Sequence, residues 1–411
     1  MAHAMASQAC TAKVPAISKR MAATDHPPIS KILTHIAASG RDVLTLAQGI
    51  SHWGPPPACL EAARQASSEP ETYAYGPDEG LPELRRLLKE KVETQNGLEG
   101  YDVVVTPGAN QAFMNVVLAT LDPGDGVVLF KPYYFNHHMA LQMTGLGPSI
   151  VYGPCTPEHL HPDLDWLEAA LARPSPPRMV VLVNPCNPTG AVLARGELER
   201  AARACAAAGA WLVVDDTYED FVFGGEAHCA VAGPHVVHLF SLSKAYGLAG
   251  WRVGYVAHGA GPALASALLR AQDTMPICAA QASQRVALAA LRCGGRAWVA
   301  GRVQALAPGR EAVRAALARA LGDGAVRGQG AIYFWARLPG RAPDDEAFVA
   351  WAIRRHGVSV VPGSAAGCPG FIRVSYANAP PETIGAAAER LERALVEFAA
   401  CEGGELPQGA A

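Results

Sequence analysis

The segment Ser241-Leu242-Ser243-Lys244-Ala245-Tyr246-Gly247-Leu248-Ala249-Gly250-Trp251-Arg252-Val253-Gly254 sets an amine between two hydroxyls. A glycine-rich turn follows, and an arginine stands eight residues on. A lysine traps an aldehyde only when it is held, desolvated and partnered. This one comes after an apolar, strand-like run (Val236, Val237, Leu239, Phe240). The combination suits a phosphorylated aldehyde cofactor such as pyridoxal phosphate. Lys244 forms the Schiff base, while Ser241, Ser243 and Arg252 take the phosphate. Taken alone, such a string is more often a solvated loop lysine. The rest of the chain reverses that reading.

Four further segments carry complementary chemistry, each after a strand-like apolar run. Thr106-Pro107-Gly108-Ala109-Asn110-Gln111-Ala112 follows Val103-Val104-Val105 and opens an apolar, helix-like stretch. A glycine turn feeding a helix N-terminus presents free N–H groups to a phosphate, although an ordinary strand-to-helix turn has the same look. Lys131-Pro132-Tyr133-Tyr134-Phe135-Asn136-His137-His138 follows Val127-Val128-Leu129-Phe130 and offers an aromatic ring to stack on a flat cofactor, or simply to fill a core. Asn184-Pro185-Cys186-Asn187-Pro188-Thr189-Gly190 is a rigid, non-helical connection whose amide can donate to a phenolate oxygen. Asp215-Asp216-Thr217-Tyr218 closes the run Trp211-Leu212-Val213-Val214. A carboxylate there can pair with a pyridinium nitrogen, or can cap the next helix.

In this order and spacing the segments resemble the class I aminotransferases of the fold-type-I pyridoxal-phosphate superfamily, over roughly residues 28 to 400. Leu46-Ala47-Gln48-Gly49, Tyr75-Gly76-Pro77-Asp78-Glu79-Gly80-Leu81-Pro82-Glu83-Leu84-Arg85 and Pro132-Tyr133-Tyr134-Phe135-Asn136 are most similar to a plant-type branch acting on aromatic amino acids and methionine. The resemblance implies a role for each matching residue. Lys244 is the Schiff-base lysine and proton shuttle, and Asp215, with His137 behind it, holds the pyridine nitrogen. Asn187 and Tyr218 bond the phenolate oxygen, and Tyr134 stacks on the ring. Ala109, Asn110, Ser241, Ser243 and Arg252 surround the phosphate, and Tyr75 reaches the phosphate of a neighbouring subunit. Arg373 grips the substrate α-carboxylate beside Gly49, and Asn187 and Trp53 are expected to bind substrate as well.

The chain departs from the family at two places. Ala109 and Asn110 stand where many members have a hydroxyl, so the phosphate leans more on backbone N–H groups there. The stretch 271–278 has no arginine, whereas dicarboxylate-specific members supply one from this part of the chain. Arg270, Arg285 and Arg292 are expected on helix surfaces. Ile50, His52 and Trp53 are candidates for a wall of the substrate side-chain pocket. The implied activity is transfer of the amino group of an aromatic amino acid or methionine to a 2-oxo acid, with ping-pong kinetics and a homodimer as the active unit. Aspartate transamination, a carbon–sulfur lyase reaction and aminocyclopropane-carboxylate synthesis share the same cofactor motifs. A regulator that only binds the cofactor usually carries a DNA-binding domain ahead of this fold, and no helix-turn-helix is readable here.

Composition agrees with such an enzyme. The 411 residues are half apolar and 17% charged, enough for a large core and too many for one ordinary domain. A net charge of −3 implies no basic field for nucleic acid or an anionic membrane. No long uncharged apolar run proposes a membrane span. The ten cysteines form no C-x-x-C pair and read as reduced thiols of a cytosol-like compartment. His137-His138, taken as lying on a strand, point to opposite faces, and no metal is expected. Lys13, Lys19 and Arg20, with no acid before Asp25, fit either a short organellar transit peptide or a disordered extension.

These segments need a scaffold that puts strand ends side by side. Continuously apolar runs at 103–106, 127–130, 179–183, 211–215, 236–240 and 252–257 predict strands covered on both faces. The expected fold is α/β: a three-layer large domain with a mostly parallel sheet, plus a smaller α+β domain. The boundaries read as an extension at 1–25, a segment at 26–60 joining the small domain, the large domain at 61–300, the small domain at 301–400 and a tail at 401–411. Residues 296–321 read as one long helix despite Pro308. Ligands of such sheets lie outside the strand carboxyl ends, where Tyr134, Asn187 and Asp215 fall.

Overall fold

A computed structural model describes residues 14–225, 227–339 and 344–401. The expected extension therefore lies outside the described residues up to position 13, and the tail from position 402.

Seven strands form the central sheet, in the spatial order Asp102–Thr106, Gly254–His258, Val236–Ser241, Trp211–Asp215, Met179–Val183, Val127–Phe130, Ile150–Gly153. Gly254–His258 runs against both neighbours, and the other pairs are parallel. Alternate residues of the same strands feed two cores. Val127, Leu129, Val181, Val213 and Val237 pack with Phe113, Val116 and Leu268. Val128, Val180, Leu182, Leu212 and Val214 pack with Leu167, Leu198 and Cys205 on the other face. Burial on both faces is why these strands read as unbroken apolar runs.

Two elements differ from the sequence reading of the sheet. Ile150–Gly153 is an edge strand with Tyr152 40% exposed, too short and too mixed to stand out. The run expected at 252–257 starts only at Gly254, because Arg252 turns the chain at φ 53°.

The small domain holds an antiparallel sheet in the order Val361–Pro362, Phe371–Ser375, Tyr333–Arg337, Val326–Arg327. Leu44–Thr45 pairs in parallel with Val358–Ser359, and the helix Pro28–Ser39 packs on Asp345–His356. The long helix expected at 296–321 is two helices, Gly295–Gln304 and Ala307–Leu321. Pro308 sits in the first turn of the second, where a missing N–H costs nothing, so the proline starts a helix rather than interrupting one.

His137 and His138 are not on a strand. Both lie on the helix Phe135–Met143, so they diverge by a helical turn angle and find separate partners. His138 Nε2 is 2.7 Å from the Tyr152 hydroxyl, while its ring stacks on Tyr133. Among the described residues no helix is long and apolar enough to cross a membrane.

Candidate active site

Three adjacent parallel strands end at one edge of the sheet and deliver Asn187, Asp215 and the Lys244 turn to a single cavity. Its lining is Ala109, Asn110, Tyr134, Val183, Asn187, Asp215, Thr217, Tyr218, Ser241, Ser243, Lys244 and Arg252. Val183 and Thr217 were not marked in the sequence. Val183 read as strand interior, and Thr217 as a spacer between Asp215 and Tyr218.

One end of the cavity is built for an anion. Gly108, at φ +83°, precedes the helix Ala109–Thr120, whose first internal hydrogen bond is from Ala112 N to Gly108 O. The N–H groups of Ala109 and Asn110 come before it and stay free of the helix ladder. The Arg252 guanidinium closes this end by donating to the carbonyls of Ala249 (3.0 Å) and Pro107 (3.4 Å). A Cβ on Gly108 would fall on that guanidinium, and one on Gly254 would sit 2.6 Å from Ala109 N. Ser241 Oγ accepts from Ser243 N at 3.1 Å, which folds the turn ahead of the lysine.

Lys244 is held by its backbone. Ser51 Oγ donates to the Lys244 carbonyl (2.8 Å) and Trp53 Nε1 to the Ala245 carbonyl (3.1 Å). Burial of the amine, then the positive charges of Arg252 and Arg373, push its pKa down to about 8, with Asp215 pulling the other way. A lysine in this state has lost, in half of the molecules at pH 8, the proton that blocks nucleophilic attack.

Asp215 is 4% exposed at its strand end. One carboxylate oxygen accepts from Thr217 N (3.0 Å), and the other is 3.0 Å from His137 Nε2. The His137 ring is wedged between Phe113 and Tyr134, at centroid distances of 4.3 and 5.1 Å. Asn136 Nδ2 donates to the Tyr134 hydroxyl at 2.8 Å.

Arg373 is 2% exposed and lies on the small-domain side. It donates to the Ala47 carbonyl (2.6 Å) and to Asn187 Oδ1 (2.9 Å), while its Nε has no partner. Because arginine only donates, the Asn187 amide oxygen must face it and the NH2 is left for the cavity. Gly49 is required by crowding, since a Cβ there would fall on the Tyr333 hydroxyl and lie 3.6 Å from that of Tyr218. The Tyr218 and Tyr333 hydroxyls are 2.5 Å apart. Tyr333 was missed because Tyr333-Phe334-Trp335 reads as an ordinary core strand.

The free amides, the desolvated lysine, the carboxylate at the strand end and the unpartnered Arg373 Nε fit the cofactor and the carboxylate substrate expected from the motifs. One expected residue is not in this assembly, and Tyr75, expected to serve a neighbouring subunit, lies outside this chain's own cavity. Tyr75 is 78% exposed and lines no part of the cavity. Trp53 also lines none of it and packs in the core instead, 7% exposed with its ring stacked on Phe221. Its indole braces the Lys244 turn from behind.

The family model for aminotransferase class I and II matches residues 41–391. The chain belongs to this aminotransferase family. The aromatic aminotransferase ISS1 of Arabidopsis thaliana is 45% identical over 384 residues, 93% of this chain and 97% of the relative. The aspartate/prephenate aminotransferase of Thermus thermophilus is 34% identical, covering 87% of this chain and 92% of the relative. Among solved aminotransferase structures, the aspartate aminotransferase of Thermus thermophilus with maleate matches with a TM-score of 0.83 at 30% identity, over 93% of this chain and 100% of that one. The aromatic aminotransferase of Pyrococcus horikoshii matches with a TM-score of 0.78 at 28% identity, over 89% and 99%. As an aminotransferase, the enzyme acts on amino acids and 2-oxo acids.

Proposed function

We propose that this aminotransferase is pyridoxal-phosphate-dependent and moves the amino group of an aromatic amino acid, or of methionine, to a 2-oxo acid in a ping-pong cycle. The observation that carries the reading is the joining of the Lys244 cavity to buried Arg373 through Asn187. The 45% identity to an aromatic aminotransferase supports the substrate class. Bound pyridoxal phosphate supplies an aldehyde carbon that carries the amino group and a ring that accepts electrons.

The chain's own residues do the rest. Ala109 and Asn110 amides, Ser241, Ser243 and Arg252 hold the phosphate. Asp215, steadied by His137, keeps the ring nitrogen protonated. Asn187 and Tyr218 donate to the phenolate oxygen, and Tyr134 lies against the ring. Arg373 and the Gly49 backbone receive the α-carboxylate. Lys244 Nζ, with its pKa pushed down to about 8, takes the α-proton in its neutral form and carries it onward.

The names of the relatives favour aspartate as a second reading. Against it, the stretch 271–278 has no arginine, Arg285 and Arg292 are paired with Glu69 and Glu83, and Arg270 is exposed. A second carboxylate buried without a partner is costly. Phenylalanine, tyrosine, tryptophan or methionine should therefore exceed aspartate in kcat/KM, by a modest factor because apolar contacts discriminate by about 1–3 kcal/mol per group. A panel of donors and acceptors scored by 2-oxo acid formation tests this. Aspartate with 2-oxoglutarate ahead by more than about tenfold overturns the specificity, and ammonia or thiol release in place of amino transfer points to a lyase.

The active unit in this reading is a homodimer. Tyr73 (74% exposed) and Tyr75 (78%) present bare aromatic surface, as a subunit interface requires. Mixing Tyr75→Phe subunits with Lys244→Ala subunits should restore activity, because one site per heterodimer regains both residues. A fully active monomer removes the idea.

A further inference from the structure

Tyr333 belongs to none of the motifs that mark the site in the sequence, yet it touches two of its working parts. It enters from the small domain on the strand Tyr333–Arg337 and is fully buried. Antiparallel pairing sets Ser375 opposite Tyr333 and Arg373 opposite Trp335. Tyr333 and Arg373 are therefore diagonal neighbours on one face of that sheet. The Arg373 guanidinium lies 4.3 Å from the centre of the Tyr333 ring. At the far end of the same ring, the hydroxyl stands 2.5 Å from that of Tyr218. Gly49 makes the arrangement possible, since any Cβ at that position would occupy the place of the Tyr333 hydroxyl.

Proton arithmetic then sets a direction. A phenol has one proton to give and lone pairs to accept with. When Tyr218 gives its proton to the phenolate oxygen of the bound cofactor, the proton between the two tyrosines must come from Tyr333. Hydrogen bonds in such a chain strengthen one another. Burial pushes the Tyr333 hydroxyl pKa up, while the Arg373 charge pulls it down and makes the hydroxyl a better donor than burial alone would leave it.

We infer that Tyr333 is a positioning residue of the transamination. Its hydroxyl backs the Tyr218 hydroxyl and its ring carries the Arg373 guanidinium, so one side chain aligns the partner of the phenolate oxygen and the carboxylate grip together. This rests on the cofactor reading given under the proposed function.

The test is the pH dependence of the visible absorbance of the holoenzyme, which changes as a proton leaves the lysine-bound cofactor. Donors on the phenolate oxygen stabilise the deprotonated form and keep the midpoint low. Tyr333→Phe keeps the ring and removes the hydroxyl. The midpoint should rise by about half to one pH unit, and kcat should fall while KM for the amino acid stays within about twofold. Tyr333→Leu removes the platform as well and should raise KM about tenfold in addition. If that variant fails to fold, Tyr333→Phe, which opens almost no volume, still decides. In a Tyr218→Phe background, Tyr333→Phe should add no further midpoint shift, because it acts through Tyr218. An unmoved midpoint in Tyr333→Phe, or a shift of equal size in the Tyr218→Phe background, overturns the role of Tyr333 and leaves the cofactor reading standing. Absence of the visible band in the unsubstituted protein overturns both.

Discussion

Lys244→Ala abolishes the visible absorbance of lysine-bound cofactor and lowers turnover at least about a thousandfold, roughly 4 kcal/mol of transition-state stabilisation. The expectation is large because the same amine serves twice, as the covalent anchor and as the base. Cofactor should remain bound through Arg252, Ser241, Ser243 and the amides of Ala109 and Asn110, so loss of activity is not loss of binding. The pH profile gives an independent handle. With its pKa pushed down to about 8, Lys244 is half deprotonated at pH 8, where an ordinary lysine is free in only about 0.3% of molecules. The sign is that of a nucleophile: the rate at which the apoprotein captures the aldehyde, followed by absorbance, should rise with pH and level off above about 8. A rate still rising steeply at pH 10, or near-normal transamination by Lys244→Ala, removes the central assignment.

Asp215→Asn should slow kcat about a hundredfold or more, because the neutral amide no longer holds a proton on the ring nitrogen of the cofactor. The fold should survive. The amide oxygen can still accept from Thr217 N, and a change of tautomer lets His137 meet the amide nitrogen. The neighbouring position is the control. Asp216 is fully buried between His238 (2.6 Å) and His228 (2.8 Å). Burial pushes its pKa up, yet the two histidines hold it below the usual carboxylate range. Asp216→Asn leaves those histidines without their counter-charge, so it should cost about 3 kcal/mol or more of stability while a folded fraction retains its chemistry. Steady-state kinetics and thermal unfolding of both variants check the pair. A near-normal Asp215→Asn beside an inactive but stable Asp216→Asn shifts the register of the motif by one.

What was legible in the sequence follows a physical pattern. Asp215 ends and Asn187 follows a continuously apolar run, Lys244 follows one broken only by His238, and a strand covered on both faces shows where it ends. The edge strand Ile150–Gly153 has no second covering layer and left no such mark. His137 was placed near Asp215 but on the wrong element. Lys131-Pro132-Tyr133-Tyr134 ends the strand early, and a nine-residue helix is too short for its period to show. Tyr333 and Trp53 were misjudged for one reason. Whether an aromatic faces a cavity or a core depends on what another domain brings against it, and nothing local encodes that. Arg373 escaped the same fate only because its surrounding string was already familiar from the family.

The grip on the carboxylate carries a cost that favours throughput. Arg373 already gives hydrogen bonds to the Ala47 carbonyl and to Asn187, which leaves its Nε–H and one N–H on each terminal nitrogen for a ligand. An arriving carboxylate therefore shares the guanidinium with two neutral acceptors rather than meeting a bare cation. Its net gain is smaller than an arginine with no other acceptors would give, because part of the charge is already engaged. Retention of the departing 2-oxo acid is weakened by the same sharing. A site that must release one acid before admitting the next works faster with a loosened hold than with the tightest one the guanidinium could offer.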